Sequence, residues 1–353
     1  MKNVKDATRG VVLMNLGSPG SADVRDVKTY LNEFLMDERV IDYPYLLRLP
    51  LVRGFIVPAR VENSAHAYST VWTDEGSPLI VLTKQLKRAL SERIEYPISI
   101  AMRYGSPTPK TAFDELIAAS PNLKTVTLLP LYPHYAMSSY ETAVEYAKQA
   151  HKKGGYQFEL EIIKPFYNDE HYINALGESI APYLKAPYDQ VLFSYHGLPE
   201  RHMRKADVTG QHCMRSANCC ITPSPAHSAC YRHQCFTTTK LVADKLGIPA
   251  EKHSLSFQSR LGREEWLKPY TAPLLEELPG KGIKRLVILC PAFVSDCLET
   301  LEEIAMAGKE AFLNAGGESF TFVPCLNVHP QWVQAIASWM QQLESGNKNM
   351  LLQ

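Results

Sequence analysis

The chain is 353 residues long, 45% apolar and 21% charged, with 37 basic residues against 37 acidic ones. That is the composition of a globular protein of about two domains, and a formal net charge of zero offers nucleic acid no global field. No run of about 18 uncharged apolar residues is present to cross a bilayer, and the polar stretch from Met1 to Arg9 carries no export signal, so the expected location is cytoplasmic.

Val11-Val-Leu-Met-Asn-Leu16 has the pattern of a buried strand, closed by Gly-Ser-Pro-Gly and followed by Val24, Val27, Leu31 and Phe34 at helical spacing. Gly17-x-x-Gly20 lacks the further glycines of a dinucleotide fingerprint and the Lys-Ser/Thr of a phosphate loop, so nucleotide binding is not expected. Residues 45–60 are apolar except for Arg48, Arg53 and Arg60, and are broken by Pro50, Gly54 and Pro58. The segment is too short and too basic to span a membrane. It suits a surface lip that touches lipid or a flat apolar ligand, or a helix packed on the core with its arginines solvated. A helical stretch with Leu82, Leu86 and Leu90 leads to a strand ending at Arg103 and Tyr104, where an arginine serves either a ligand carboxylate or a buried ion pair. A further strand from Thr125 runs into an aromatic turn containing Tyr132, and Ser138 is placed to cap the next helix.

The second half repeats this grammar. Val191 to Ser194 is a strand that runs into Tyr195-His-Gly-Leu-Pro199, and the stretch from Arg285 to Thr300 mirrors that from Thr125 to Thr142. Strands alternating with helices predict α/β architecture with two similar Rossmann-like, doubly wound parallel-sheet domains and an active-site cleft between them. The expected division is 1–150, 151–330 and a C-terminal helix and tail over 331–353. Ligands of such folds bind beyond the carboxyl ends of strands, which makes His196 either a proton acceptor or a turn-stabilising histidine. Asp296, Glu299 and Glu303 share one helical face, a pattern that fits a capped, solvated helix start as well as a proton or cation path. Glu299 follows a strand end in one half as His196 does in the other, so the two are expected to flank one substrate.

Cys213, Cys219, Cys220, Cys230 and Cys235 place five of the eight cysteines within an insert at about 207–236. In a reducing compartment this points to metal ligation, with thiolates selecting a 2Fe-2S cluster or tetrahedral zinc, and His212, His227 and His233 keep mixed zinc ligation open.

Eight motifs then carry a resemblance: Val12-Leu-Met-Asn-Leu-Gly-Ser-Pro, Tyr30-Leu-Asn-Glu-Phe-Leu-Met-Asp, Trp72-Thr-Asp-Glu-Gly-Ser-Pro-Leu, Met102-Arg-Tyr-Gly, Leu129-Pro-Leu-Tyr-Pro, Ser194-Tyr-His-Gly-Leu-Pro, the Phe257-Gln-Ser-Arg stretch to Thr271, and Phe293-Val-Ser-Asp-Cys-Leu-Glu-Thr-Leu-Glu-Glu-Ile. Spread from about residue 10 to 330 and in the family's order, they make the chain similar to the ferrochelatases. The resemblance implies insertion of ferrous iron into protoporphyrin IX in haem synthesis, with His196 as the active-site histidine and Glu299 opposite it across the macrocycle. Asp296 and Glu303 would extend the acidic line on a helix containing a π-type widening. Where many relatives have histidine, this chain has Cys297. Met14, Tyr132, Trp266 and Phe293 match pocket-wall positions, Arg103 and Ser138 are candidates for orienting the ring, and 45–60 falls at the cleft's lip. Contact with the inner face of the cytoplasmic membrane is thus expected there. Some ferrochelatases with a cysteine-rich internal insert carry a 2Fe-2S cluster; the resemblance favours Cys213, Cys219, Cys220 and Cys230 as ligands, with Cys235 as the alternative fourth. The alternatives are a chelatase for another metal or tetrapyrrole, such as coproporphyrin, and a non-catalytic porphyrin or haem carrier.

Overall fold

Uninterrupted apolar runs form parallel strands covered on both faces, because crossover helices leave neither side of such a sheet to water. In β1 (Arg9–Gly17), Val11, Val12, Leu13 and Met14 are all fully buried. The structure, a computed structural model, describes residues 4–260, 262 and 264–352. It divides into two units, the first made of residues up to 131, 137–164 and from 336 onward, the second of 132–136 and 165–335.

The first unit carries a four-stranded parallel sheet in the order β2-β1-β3-β4, with β2 at Ile98–Tyr104, β3 at Thr125–Pro130 and β4 at Glu159–Ile162. Its chain end is tied back to the sheet: Leu352 N–H donates to the Ile162 carbonyl at 2.8 Å. The second unit has the order β6-β5-β7-β8, with β5 at Gln190–His196, β6 at His253–Gln258, β7 at Arg285–Leu289 and β8 at Ser319–Val323. The two orders are the same, which is the structural form of the repeat heard in the sequence. In both, the strand order reverses beside the first strand, and in open α/β sheets ligands bind at that switch point.

This topology corrects one expectation. His196 and Glu299 do not belong to different halves: β5 and β7 are hydrogen-bonded neighbours in one sheet, so both residues arise at the carboxyl ends of the strands flanking the second unit's switch point.

Helix ends follow local chemistry. Asp169 caps Glu170–Ile180 by accepting from the His171 and Tyr172 N–H groups at 3.0 and 3.2 Å, and Tyr231–Leu246 stops where Gly247 takes φ 62°. Among the described residues, three segments widen to π geometry: Leu51–Ile56, Met137–Glu141 and Leu301–Gly308. Such widenings concentrate at functional sites, and these three fall in the lip segment, at Ser138 and on the acidic helix.

Candidate active site

His196 is the last residue of β5. Its Nδ1 lies 2.7 Å from the Gly197 carbonyl oxygen, and since a carbonyl only accepts, Nδ1 bears the proton and Nε2 of the neutral ring is left with its lone pair. The peptide that follows is held from other sides: Gly197 N–H donates to the Gln258 carbonyl at 2.7 Å, and the Tyr231 hydroxyl donates to the His196 carbonyl at 2.9 Å. Gly197 cannot be larger, because a Cβ there would meet the Gln258 oxygen at 2.6 Å and Trp266 Cε3 at 3.2 Å. Gly197→Ala is therefore expected to cost about 1–3 kcal/mol through overpacking and to lower kcat, as thermal denaturation and a rate assay would read.

The acidic residues have distinct surroundings. Glu303, in the π segment, accepts from Ser259 N–H at 2.8 Å, from the Ser259 hydroxyl and from Gln258 Nε2 at 3.3 Å. Ser259 adopts φ 65°, the left-handed turn that aims its N–H at this carboxylate. Burial is the largest influence on Glu303 and raises its pKa; Ser259 and His196 pull it down, and the charge of Glu299 pushes it up again. Glu299, His196 and Glu303 thus form one electrostatic group. The Gln258 amide also donates to the Glu299 backbone carbonyl at 2.8 Å, while its oxygen accepts from Ser194 at 2.8 Å. Gln258 therefore ties β5, β6 and the acidic helix together. Asp296 is used differently. Buried, it accepts from Asn327 Nδ2 at 2.7 Å, Thr300 at 3.0 Å and Cys325 N–H at 3.2 Å, an arrangement that fixes the loop before the helix.

Phe293 is half-buried with its ring 6.3 Å from that of His196. Trp266 is buried, pairs by a backbone bridge with Pro199, and leaves its indole N–H without a hydrogen-bond partner. Tyr132 is buried in the turn after β3. Of the candidates in the first unit, Met14 is fully buried within β1 and Ser138 is half-buried in a π segment. Arg103 is paired with Asp37, donates to Thr142 at 2.6 Å and lies 4.3 Å over the Tyr104 ring. Its guanidinium serves an internal ion pair.

The cysteines of the insert are buried. The Cys220 and Cys213 thiols donate to the Cys230 sulfur, an arrangement that draws Cys230 down to about 6. Cys219 joins them electrostatically, and Arg232 Nη1 reaches Cys220 Sγ at 3.3 Å and Cys219 Sγ at 3.7 Å. Asp207 holds the start of this nest by accepting the His212 and Cys213 N–H groups at 2.7 and 2.8 Å. Cys235 stands apart in the helix Tyr231–Leu246, fully buried and hydrogen-bonded to Tyr231. The three histidines face backbone: His212 and His227 direct Nε2 to the Cys219 carbonyl at 2.6 and 2.9 Å, and His233 directs Nδ1 to that of Cys220 at 2.7 Å. Among the described residues no three His, Cys, Asp or Glu side chains stand together as a group that could hold a metal ion. Gln258, Ser259, Tyr231 and Arg232 had no assigned role in the sequence; only the Phe257-Gln-Ser-Arg motif drew attention to the first two.

The fold is shared with solved structures of low sequence identity. SirB from Bacillus subtilis, solved with Fe3+, superposes with a TM-score of 0.55 over 98% of this chain and 100% of its own at 12% identity, and the cobalt complex of the sirohydrochlorin chelatase SirB from the subspecies spizizenii gives 0.55 over 98% and 100% at 9% identity. A family model described as Ferrochelatase matches residues 8–343. The ferrochelatase of Opitutus terrae is 49% identical over 340 residues, 94% of this chain and 98% of that one, and that of Pseudomonas entomophila is 50% identical over 329 residues, 93% and 97%. The chain belongs to the ferrochelatase family, and is a metal-inserting lyase that places ferrous iron in protoporphyrin in haem synthesis.

Proposed function

We propose that His196 accepts the pyrrole protons displaced by ferrous iron and that Glu299 and Glu303 complete the proton path. Insertion exchanges two N–H protons for one Fe2+, so a base must take each proton in turn and pass it on. The observation that carries this is the Nδ1 bond to the Gly197 carbonyl, which leaves Nε2 as the base in the field of Glu303. The imidazolium formed and the Glu303 carboxylate favour one another, against the burial that raises the Glu303 pKa. Asp296 acts from behind by fixing the helix start. Phe293, Trp266 and Tyr132, all in the second unit, are assigned to the apolar wall for the macrocycle. Arg103 contributes by bracing its own strand end. The test is the rate of anaerobic iron insertion by His196→Ala set against its porphyrin affinity.

The nest is assigned as a 2Fe-2S site on Cys213, Cys219, Cys220 and Cys230. The donor chemistry suits an all-thiolate group: the histidines are engaged by backbone carbonyls and Cys235 by Tyr231, while Arg232 would offset the charge that four thiolates carry. Zinc shares this donor set, and iron with acid-labile sulfide in the purified protein separates the two. Bound there, the cluster supplies a cross-link between distant parts of the insert.

The lip is assigned to peripheral contact with the inner face of the cytoplasmic membrane. No helix of the described residues is long and apolar enough to cross one, but Leu46 is 82% exposed and Phe55 71%, with Arg53 and Arg60 also exposed to meet anionic headgroups. Arg48 departs from the expected pattern of lip arginines. It is buried, and donates to the Ile41 and Tyr43 carbonyls at 3.1 and 3.3 Å, which stiffens the segment. Burying a large apolar side chain is worth about 1.5–3 kcal/mol, so Leu46→Asp with Phe55→Asp is expected to weaken sedimentation with anionic vesicles by at least about tenfold per residue, with insertion into detergent-dispersed porphyrin retained. Equal sedimentation would overturn the assignment.

A further inference from the structure

The helix Tyr231–Leu246 makes two hydroxyl contacts with the strand that ends in His196. The Tyr231 hydroxyl donates to the His196 carbonyl at 2.9 Å, and Thr239 Oγ1 lies 2.8 Å from the Tyr195 hydroxyl. Positions 231 and 239 are about two helical turns apart, so one face of one helix holds the last two residues of β5. Tyr231 is buried, with its ring edge-on to His134 at 5.9 Å. The residue before it, Cys230, is the N-cap of this helix and the sulfur on which the Cys213 and Cys220 thiols converge.

We propose that Tyr231 is a positioning residue that transmits the state of the thiol nest to the His196 imidazole. The inference rests on the assignment of His196 as the base and goes beyond it. His196 is oriented by the Gly197 carbonyl, and the peptide linking these residues is pinned by Gln258 at its N–H and by Tyr231 at its carbonyl. Loss of the Tyr231 bond frees that peptide to rotate and takes the carbonyl that orients the ring with it. Adjacent Cα atoms are fixed about 3.8 Å apart, so a shift of the Cys230 backbone along the helix axis is passed to Tyr231. A displacement of about 1 Å in a catalytic group costs up to about a hundredfold in rate. The insert thereby acquires a function in catalysis without touching the macrocycle: when the nest is intact the base is aimed, and when it opens the base is released.

Tyr231→Phe in the full chain keeps the ring and removes the bond to the His196 carbonyl together with the contact to Cys235. It is expected to lower kcat about tenfold, to leave KM for porphyrin and the visible absorption of the nest unchanged, and to shift the acid limb of the pH–rate profile; a purely structural tyrosine would not move that limb. Cys230→Ser, and Cys213→Ser as a second variant remote in sequence from Tyr231, are expected to lower kcat in the parent chain and to cost little more when combined with Tyr231→Phe, since two breaks in one linkage do not multiply. A Tyr231→Phe protein with parental kcat and pH profile, or thiol substitutions whose costs multiply fully with it, would overturn the proposal. The cycle is read from thiol substitutions, so non-multiplying costs support the linkage even in a chain that purifies without metal, an outcome that sinks only the cluster assignment. Failure of the base assignment is distinguished by His196→Ala retaining full activity.

Discussion

His196→Ala is expected to lower kcat for anaerobic ferrous iron insertion by about 10³-fold while leaving porphyrin affinity unchanged. The size follows from the contribution of a positioned general base, about 10²–10⁴-fold. The direction follows from the geometry, because the Gly197 carbonyl occupies Nδ1 and leaves Nε2 as the group able to take a proton. Glu303 does not replace it: its carboxylate oxygens are engaged by Ser259 and Gln258. The substitution removes a side chain whose ring contact is with Phe293 at 6.3 Å, so the wall and the strand remain. Fluorescence quenching of protoporphyrin gives the affinity, and stopped-flow loss of free porphyrin absorption gives the rate. Insertion at the parental rate with unchanged affinity would remove His196 from the chemistry and leave the carboxylates as bases.

Much of this site was legible in the sequence because its signals are local. A strand, a histidine and a Gly-Leu-Pro turn place His196 at a carboxyl end whatever lies around it, and the apolar stripe from Leu298 leaves Glu299 and Glu303 on another face of their helix. The sheet order was legible only as an echo. That His196 and Glu299 flank one switch point depends on β5 pairing with β7, a contact between residues nearly a hundred positions apart that no local pattern encodes. The same limit hid Gln258, whose amide binds Ser194 on one side and the Glu299 carbonyl on the other. The roles of Arg48 and Arg103 stayed open in the sequence for another reason. Spacing shows that a guanidinium is available at a lip or strand end, but whether it faces outward is decided by partners elsewhere in the fold, here the carbonyls of Ile41 and Tyr43 and the carboxylate of Asp37.

Replacing Cys219 and Cys220 together by serine is expected to remove the visible absorption, iron and acid-labile sulfide of the purified protein and to lower its melting temperature. A group that binds the folded chain alone stabilises it by about 4 kcal/mol when present at a thousand times its Kd, and for a unit of this size each kcal/mol is worth about 2–4 °C; a fall of about 8–16 °C follows. These two sulfurs are the informative pair because Arg232 addresses both and the three histidines fix their carbonyls. Serine keeps the size but supplies neither a soft ligand nor a thiolate, so the backbone clamp survives while the donor set is halved. Cys235→Ser is the control. That side chain is fully buried against Tyr231 in the helix beyond the nest, and its substitution is expected to leave colour and iron content in place. Retention of iron and sulfide by the double variant would break the ligand assignment, and one zinc per chain in the parent protein would replace the cluster with a tetrahedral ion on the same four thiolates.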